Sequence, residues 1–371
     1  MRKQSHYIPI LKGRLGEFSA LSHVDPSIAS DFTPLIEFVP TGDELDDDGE
    51  PIPEKVAATV RKTADRLEKN WPKPSEVIVD LHALPSVKGY HPVAEVIDRF
   101  YDTDTTQVIP ACRPTDATDE TFVARLSASL DKFANRNVCI RLADEDLDER
   151  DEPIPESLDR LMGALETSPE RVDLLLDFGA VNETSASFAA RIARLILSDL
   201  PHLDHWRSLT LAAGGFPGAL DDISPQRLSE VTRWELTTWR TVRDRLQGKM
   251  RVPSFGDYAI AYPRQLAGIA FAPAPQIRYT AMESWLILKG RKSNRRGNFQ
   301  FLDICQEIVN NDAFTRGLSW GDERIAENAR YANIDPPPDE ARPGNAMTWR
   351  AIGTSHHIAH VVSCLSIAGE P

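Results

Sequence analysis

The sequence predicts an α/β fold, a (β/α)8 TIM-like barrel carrying a C-terminal β-plus-α extension. Three observations point there: eight short aliphatic runs, amphipathic helical stretches between them, and no glycine-rich loop after the first run. Parallel strands buried on both faces read as unbroken Val/Ile/Leu runs of about four to six residues, too short for a helix. Their alternation with helices gives βαβ units and a parallel sheet. Eight such runs favour closure into a barrel over an open doubly wound sheet, whose dinucleotide-binding turn is also missing.

The strand-like runs are, in order, Tyr7-Ile-Pro-Ile-Leu11, Pro34-Leu-Ile-Glu-Phe38, Glu76-Val-Ile-Val-Asp80, Thr106-Gln-Val-Ile-Pro110, Asn137-Val-Cys-Ile-Arg141, Val172-Asp-Leu-Leu-Leu-Asp177, Arg207-Ser-Leu-Thr-Leu211 and Asp257-Tyr-Ala-Ile-Ala261. Between them, Pro53 to Lys69 sets Val56, Val60 and Leu67 on a helical period, and Asp119 to Phe133 does so with Phe122, Val123, Leu126 and Leu130. Pro155 to Leu165 and Ala189 to Leu200 follow the same rule. Two acidic segments, 43–50 and 144–152, read as solvated βα loops. Beyond Tyr262 the pattern changes: a β-prone stretch from Ile277 to Leu288, a basic loop, a helix from Phe299 to Asn310, a proline-rich connection at 335–339, and a last helix from about Ser355 to Ser366. The expected division is therefore a barrel over 1–262 and an extension over 263–371 packed on it, with too few apolar elements for a core of its own.

Composition narrows the function classes. The 371 residues accommodate one barrel of ~250 residues plus a tail. Fifty-six Asp and Glu against 42 Lys and Arg give a net charge of -14, which disfavours a protein that coats nucleic-acid phosphates with a basic surface and leaves only a local basic groove for that role. No apolar run approaches the ~18 residues of a membrane span and no signal-peptide core follows Met1, so a cytoplasmic protein is expected. Cys112, Cys139, Cys305 and Cys364 form no CxxC pair and read as reduced thiols. Acyl-hydrolase, dinucleotide and kinase signatures are absent.

In a (β/α)8 barrel, side chains at the C-terminal strand ends face the loop-built site. Those positions hold Lys12, Glu37, Asp80, His82, Arg113, Arg141, Asp144, Asp177 and Tyr262. One reading is catalytic. Glu37, Asp80 and Asp177 would serve as base or as ligands to a divalent metal ion, and Lys12, His82, Arg113, Arg141 and Tyr262 would bind a phosphorylated or nucleic-acid substrate. The competing reading is that these opposite charges pair with one another and fix loops. The segment Lys12-Gly-Arg-Leu-Gly-Glu17 reads as a loop held by a Lys12–Glu17 ion pair, or as backbone approaching a ligand; it lacks the ending of a P-loop. Lys289, Arg291, Lys292, Arg295 and Arg296 concentrate positive charge in an acidic chain; they read either as a solvated loop or as a contact for an anionic surface, an acidic protein partner before DNA. His356, His357 and His360 lack a third metal ligand nearby and read as structural histidines. Trp320, Asp322, Trp349 and Arg350 read as anchors of the extension.

Several of these segments, in this order, carry a family resemblance. They are Tyr7-Ile-Pro-Ile-Leu-Lys-Gly13 with Gly16-Glu17 and Ala20-Leu21, Pro34-Leu-Ile-Glu37, Gly256-Asp257-Tyr258, Lys289-Gly290, Trp320-Gly-Asp322, Trp349-Arg350 and His356-His357-Ile358. The chain resembles the Beta protein family of phage satellites and prophages over almost its whole length. That resemblance implies a role in phage–host conflict, antiviral defence or a toxin–antitoxin-like pairing, beside a gene for a toxic neighbour. It supplies no catalytic residues. The expected function is therefore binding of a protein partner from the same locus, with the metal-dependent barrel enzyme as the alternative.

Overall fold

The computed structural model describes residues 2–71, 75–101, 106–133, 136–143, 146–147, 152–264 and 274–371. The barrel strands are β1 (Ile8–Lys12), β2 (Leu35–Glu37), β3 (Ser75–Asp80), β4 (Thr106–Cys112), β5 (Val138–Leu142), β6 (Val172–Ala180) and β7 (Ser208–Gly214). After β8 (Ser229–Thr232), which lies elsewhere, β9 (Ser254–Asp257) completes the set. These eight pair in parallel in chain order and β9 returns to β1, so the barrel is closed. Between them run α1 (Leu15–Ser22), α2 (Pro53–Asn70), α3 (Pro92–Tyr101), α4 (Glu120–Leu130), α5 (Ile154–Ala164), α6 (Ala186–Asp199) and α7 (Trp234–Leu246).

Strand parity decides what each side chain meets. Ile8, Ile10, Leu35, Ile78, Ile109, Cys139, Leu175 and Ala212 fill the barrel interior. Their neighbours, among them Leu11, Ile36, Val77, Val79, Ile140, Leu174, Leu176 and Phe255, face the helices in the large outer core. Extending the inner parity by one step reaches Lys12, Glu37, Asp80, Arg141 and Asp177, so all five turn into the barrel at its C-terminal end. At the opposite end Arg207 pairs with the buried Asp173 at 2.7 Å and Arg2 pairs with Glu76 at 2.7 Å, closing that mouth with charge.

The extension holds β10 (Gln276–Thr280), β11 (Ser284–Lys289), α8 (Gln300–Val309), α9 (Trp320–Ala329) and α10 (Ala346–Ala368). Its antiparallel sheet has the order β10-β11-β8, so one strand comes from the N-terminal side of residue 262. A second apolar cluster gathers around this sheet, with Tyr279, Leu286, Phe301, Ile325 and Trp349 among its members. Helix α10 joins both clusters: Trp349 and Ile352 enter the second, and Ile358, Val361 and Leu365 enter the barrel's outer core. Asn345 caps α10 by accepting from the Met347 and Thr348 amides, and Gly369 ends it at a φ of 68°.

Three expectations are corrected. The last barrel strand is Ser254–Asp257, not 257–261; the run Tyr258-Ala-Ile-Ala261 is mostly buried loop, hence its apolar composition. The final helix begins at Ala346, about two turns earlier than expected, because Ala351 to Ile358 is buried all round and shows no amphipathic start. Within the acidic segment 43–50, Glu44 is buried and accepts from the Thr59 hydroxyl at 2.6 Å and the Gly42 amide at 2.8 Å.

Candidate functional site

Parity brings the three proposed acids together, but around a guanidinium. Arg141 donates through Nη1 to Asp80 at 2.5 Å, through Nη2 to Glu37 at 2.9 Å, and through Nε and Nη2 to Asp177 at 2.9 and 2.6 Å. Tyr258, inward-facing just past β9, accepts from Arg141 at 2.8 Å and donates to Asp177 at 2.6 Å. Glu37, Asp80, Arg141 and Asp177 are all buried. Lys12 adds a second cation: its ammonium pairs with Glu37, donates to the Pro263 carbonyl at 2.6 Å and lies 5.6 Å from the Tyr258 ring centre. The mouth is thus a satisfied ion network. Among the described residues no three His, Cys, Asp or Glu side chains are arranged to hold a metal ion.

Electrostatics follow from this packing. Burial alone would raise the Asp80 carboxyl, but Arg141, His82 and Arg113 outweigh it and hold Asp80 well below its ordinary value. Burial and the adjacent Asp177 raise the Tyr258 hydroxyl, which stays protonated and able to donate.

His82 and Arg113 sit on the rim. His82 Nδ1 lies 2.7 Å from Asp80 and Nε2 lies 3.0 Å from Asp116. Burial opposes protonation here, yet the two carboxylates raise His82 from 6.5 to about 9. Its folded pKa exceeds its unfolded one, so the stabilisation is full below about pH 6.5 and is lost as pH rises through about 9. In an NMR titration the His82 ring should therefore deprotonate near pH 9. Titration at or below its unperturbed value of about 6.5 would refute the bridge. Arg113 pairs with Asp146 at 3.4 Å, and its amide donates to Asp116 at 2.7 Å. Asp144 lies outside the described residues.

Other expectations resolve differently. Lys12 bonds Glu37 and not Glu17; Glu17 is 3.9 Å from Arg350. Gly16 serves a helix contact, since a Cβ there would lie 2.9 Å from the Arg350 Cβ on α10. Tyr262 does not join the acids; it lines a cavity of about 740 Å³ beside Lys12. Of the basic loop, Lys289 donates to the Leu220 carbonyl at 2.5 Å and Arg296 pairs with Asp303 at 3.2 Å, whereas Arg291, Lys292 and Arg295 are exposed.

His356 and His357 tie α10 to its neighbours. His357 Nε2 is 2.8 Å from Asp257, and its Nδ1 is 2.8 Å from the Thr280 hydroxyl; Tyr7 donates to Asp257 at 2.5 Å. His356 pairs with Asp322 at 3.0 Å and stacks on Tyr279 with centroids 3.8 Å apart. Trp349 stacks on Phe301 at 4.8 Å and donates to the Pro343 carbonyl at 2.6 Å. Sequence reasoning gave no site role to Tyr258, Asp116 or Asp257, although the Gly256-Asp257-Tyr258 segment stood among those carrying the resemblance. Parity supplied a signal for Tyr258 alone, and the misplaced last strand hid it.

A comparison with curated proteins found no match. Among solved structures, the barrel is similar to a GH18 chitinase from Pseudoalteromonas aurantia at 11% identity and a TM-score of 0.32, over 68% of this chain and 93% of that one. A likeness that weak carries no inference about chemistry, and the barrel assignment rests on the strand pairing itself. No helix among the described residues is long and apolar enough to cross a membrane. A family model described as Beta protein matches residues 7–363, and the chain belongs to the Beta protein family.

Proposed function

We propose that the protein acts in phage–host conflict, in the cytoplasm, by binding a protein partner encoded beside it, the expected partner being a toxic neighbour. This context comes from the resemblance carried by the sequence motifs; the family match adds membership and no functional detail. The preference for binding over metal-dependent catalysis is carried by Arg141, whose guanidinium occupies the space an ion would need between Glu37, Asp80 and Asp177. Four buried charges in mutual contact form a structural plug, with no carboxylate left to accept a substrate proton.

The exposed cations Arg291, Lys292 and Arg295 form the contact surface for an acidic face of the partner. Pull-down from cells carrying the whole locus should recover the neighbouring product with the wild-type protein. The R291E/K292E/R295E variant should recover about tenfold less, because each reversed charge changes a partly screened attraction by a fraction of a kcal/mol to about 1 kcal/mol. Recovery of no partner, or equal recovery by both proteins, counts against this reading.

The second reading, a barrel enzyme acting on a phosphorylated or nucleic-acid substrate with a divalent ion, is favoured by one observation: the cavity beside Lys12 is lined with cations. It requires Arg141 to leave the acids. Anomalous scattering from manganese among Glu37, Asp80 and Asp177 would establish it in place of the first.

A further inference from the structure

The cavity of about 740 Å³ lies between the β1–α1 turn, one face of α2, the chain after β9 and the start of α10. Its volume falls in the ~300–1,000 Å³ range of small-molecule sites. Seven cationic side chains line it against a single carboxylate, Glu17, in a chain whose net charge is -14. The local balance of charge in the cavity is thus the reverse of the chain's overall balance.

The cations are placed by helix geometry and by default of partners. Thr59 and Thr63, and beside them Lys62 and Arg66, are pairs four residues apart along α2 and so share the face that lines the cavity. Among the described residues, Arg14, Lys62, Arg66 and Arg278 form no ion pair, and Arg350 reaches Glu17 only at 3.9 Å. Arg278 lies 4.4 Å from the Phe216 ring centre and donates to the Ile260 carbonyl at 2.8 Å. Burial, and then the neighbouring Arg350, push its guanidinium well below its ordinary value. The Arg350 part of that shift reflects two guanidiniums brought close together, and Glu17 offsets some of it. Apolar surface is also available on the wall: Leu15 and Met347 are 50% and 44% exposed, and Tyr262 lines the cavity with them.

We propose that this cavity binds a multiply phosphorylated small organic molecule, its phosphates against Arg14, Lys62 and Arg66 and its organic part along Leu15, Tyr262 and Met347. One phosphate group carries a charge of only about −1.5 to −2, too little to balance Arg14, Lys62, Arg66 and Arg278 together. A nucleic-acid strand would extend beyond the cavity over a surface of net negative charge, which disfavours it. The proposal is independent of the protein partner, since it concerns other residues and another chemistry.

Calorimetric titration of the full chain with pyrophosphate and with ADP, at about 0.15 M salt with sodium sulfate as control, tests it. At least one of the two probes should bind at a single saturable site, more weakly as salt rises, with sulfate far weaker. K62E/R66E, on the solvent-facing side of α2, should lower that affinity by about tenfold or more while leaving the urea midpoint unchanged. Absence of saturable binding by both probes overturns the proposal, as does unchanged affinity in K62E/R66E. A short single-stranded oligonucleotide that binds more tightly than ADP, and loses that affinity in K62E/R66E, overturns it in favour of nucleic acid.

Discussion

Arg141→Met is expected to lower the unfolding free energy at pH 7 by about 3–5 kcal/mol, read as a sharply lower urea midpoint, because it leaves Glu37, Asp80 and Asp177 facing one another in a buried space without their shared counter-charge. The side chain's bulk is nearly kept, so the loss reports on charge. Lys12 stays paired with Glu37 and His82 with Asp80, which leaves Asp177 the most exposed to the change. Adding D177N to the methionine variant should therefore recover part of the loss. Asn keeps an oxygen to accept from the Gly179 amide, which the native Oδ1 does at 3.0 Å, while removing the charge.

The pH dependence has a definite sign. In the wild type, Asp80 is held below its unfolded value, so its contribution is present above about pH 3.9 and lost as pH falls through the depressed folded value. Without Arg141 the buried carboxylates gain protons more readily than in the unfolded chain, and acid relieves their repulsion. The gap between the two proteins should narrow from pH 7 to pH 4. A variant as stable as the wild type, or a gap that widens in acid, would show that Arg141 does not hold the mouth together.

The barrel was legible in the sequence because parallel strands covered on both faces leave unbroken aliphatic runs, and seven of the eight lie where those runs stand. The eighth was displaced because Ser254-Phe-Gly-Asp257 has one large apolar residue, whereas the loop after it is apolar for a different reason, burial. Strand β8 was missed since Ser-Glu-Val-Thr alternates between half-buried and exposed positions. Helices α1 and α7 carry weak amphipathic patterns: α1 buries Gly16, Glu17, Phe18, Ala20 and Leu21 around most of its circumference. At the mouth, position was legible and pairing was not. Lys12, Glu37, Asp80, Arg141 and Asp177 could be placed at strand ends from sequence, but whether Arg141 meets a ligand's oxygens or those of Asp177 depends on which strands adjoin across the barrel. The sequence reading left both outcomes open, and closure of the barrel chose the second.

Asp257→Ala should unseat α10 from the barrel, at a cost of about 3–5 kcal/mol. Asp257 faces outward from β9, and three donors converge on it: the Tyr7 hydroxyl at 2.5 Å, the Ala259 amide at 2.9 Å and His357 Nε2 at 2.8 Å. All lie in dry surroundings, so deleting the carboxylate strands each donor. Burial lowers the His357 pKa more than Asp257 raises it, so the ring is neutral at pH 7. Nε2–H then donates to Asp257 and Nδ1 accepts from Thr280, a tautomer inferred from the bonding. A folded His pKa below the unfolded one means this contribution is whole above about pH 6.5 and is lost as pH falls below it. Asp257→Asn should cost less than Ala: its oxygen still serves Tyr7 and Ala259, and His357 can exchange tautomers while the Thr280 hydroxyl turns to accept. Hydrogen exchange gives the local reading. The amides of Ile358 to Leu365 should lose protection in D257A by more than those of β3 to β5, because the strand pairing there does not touch the deleted group. Equal loss everywhere would mean that the bridge supports the whole fold, and no loss in α10 would mean that apolar packing alone seats the helix.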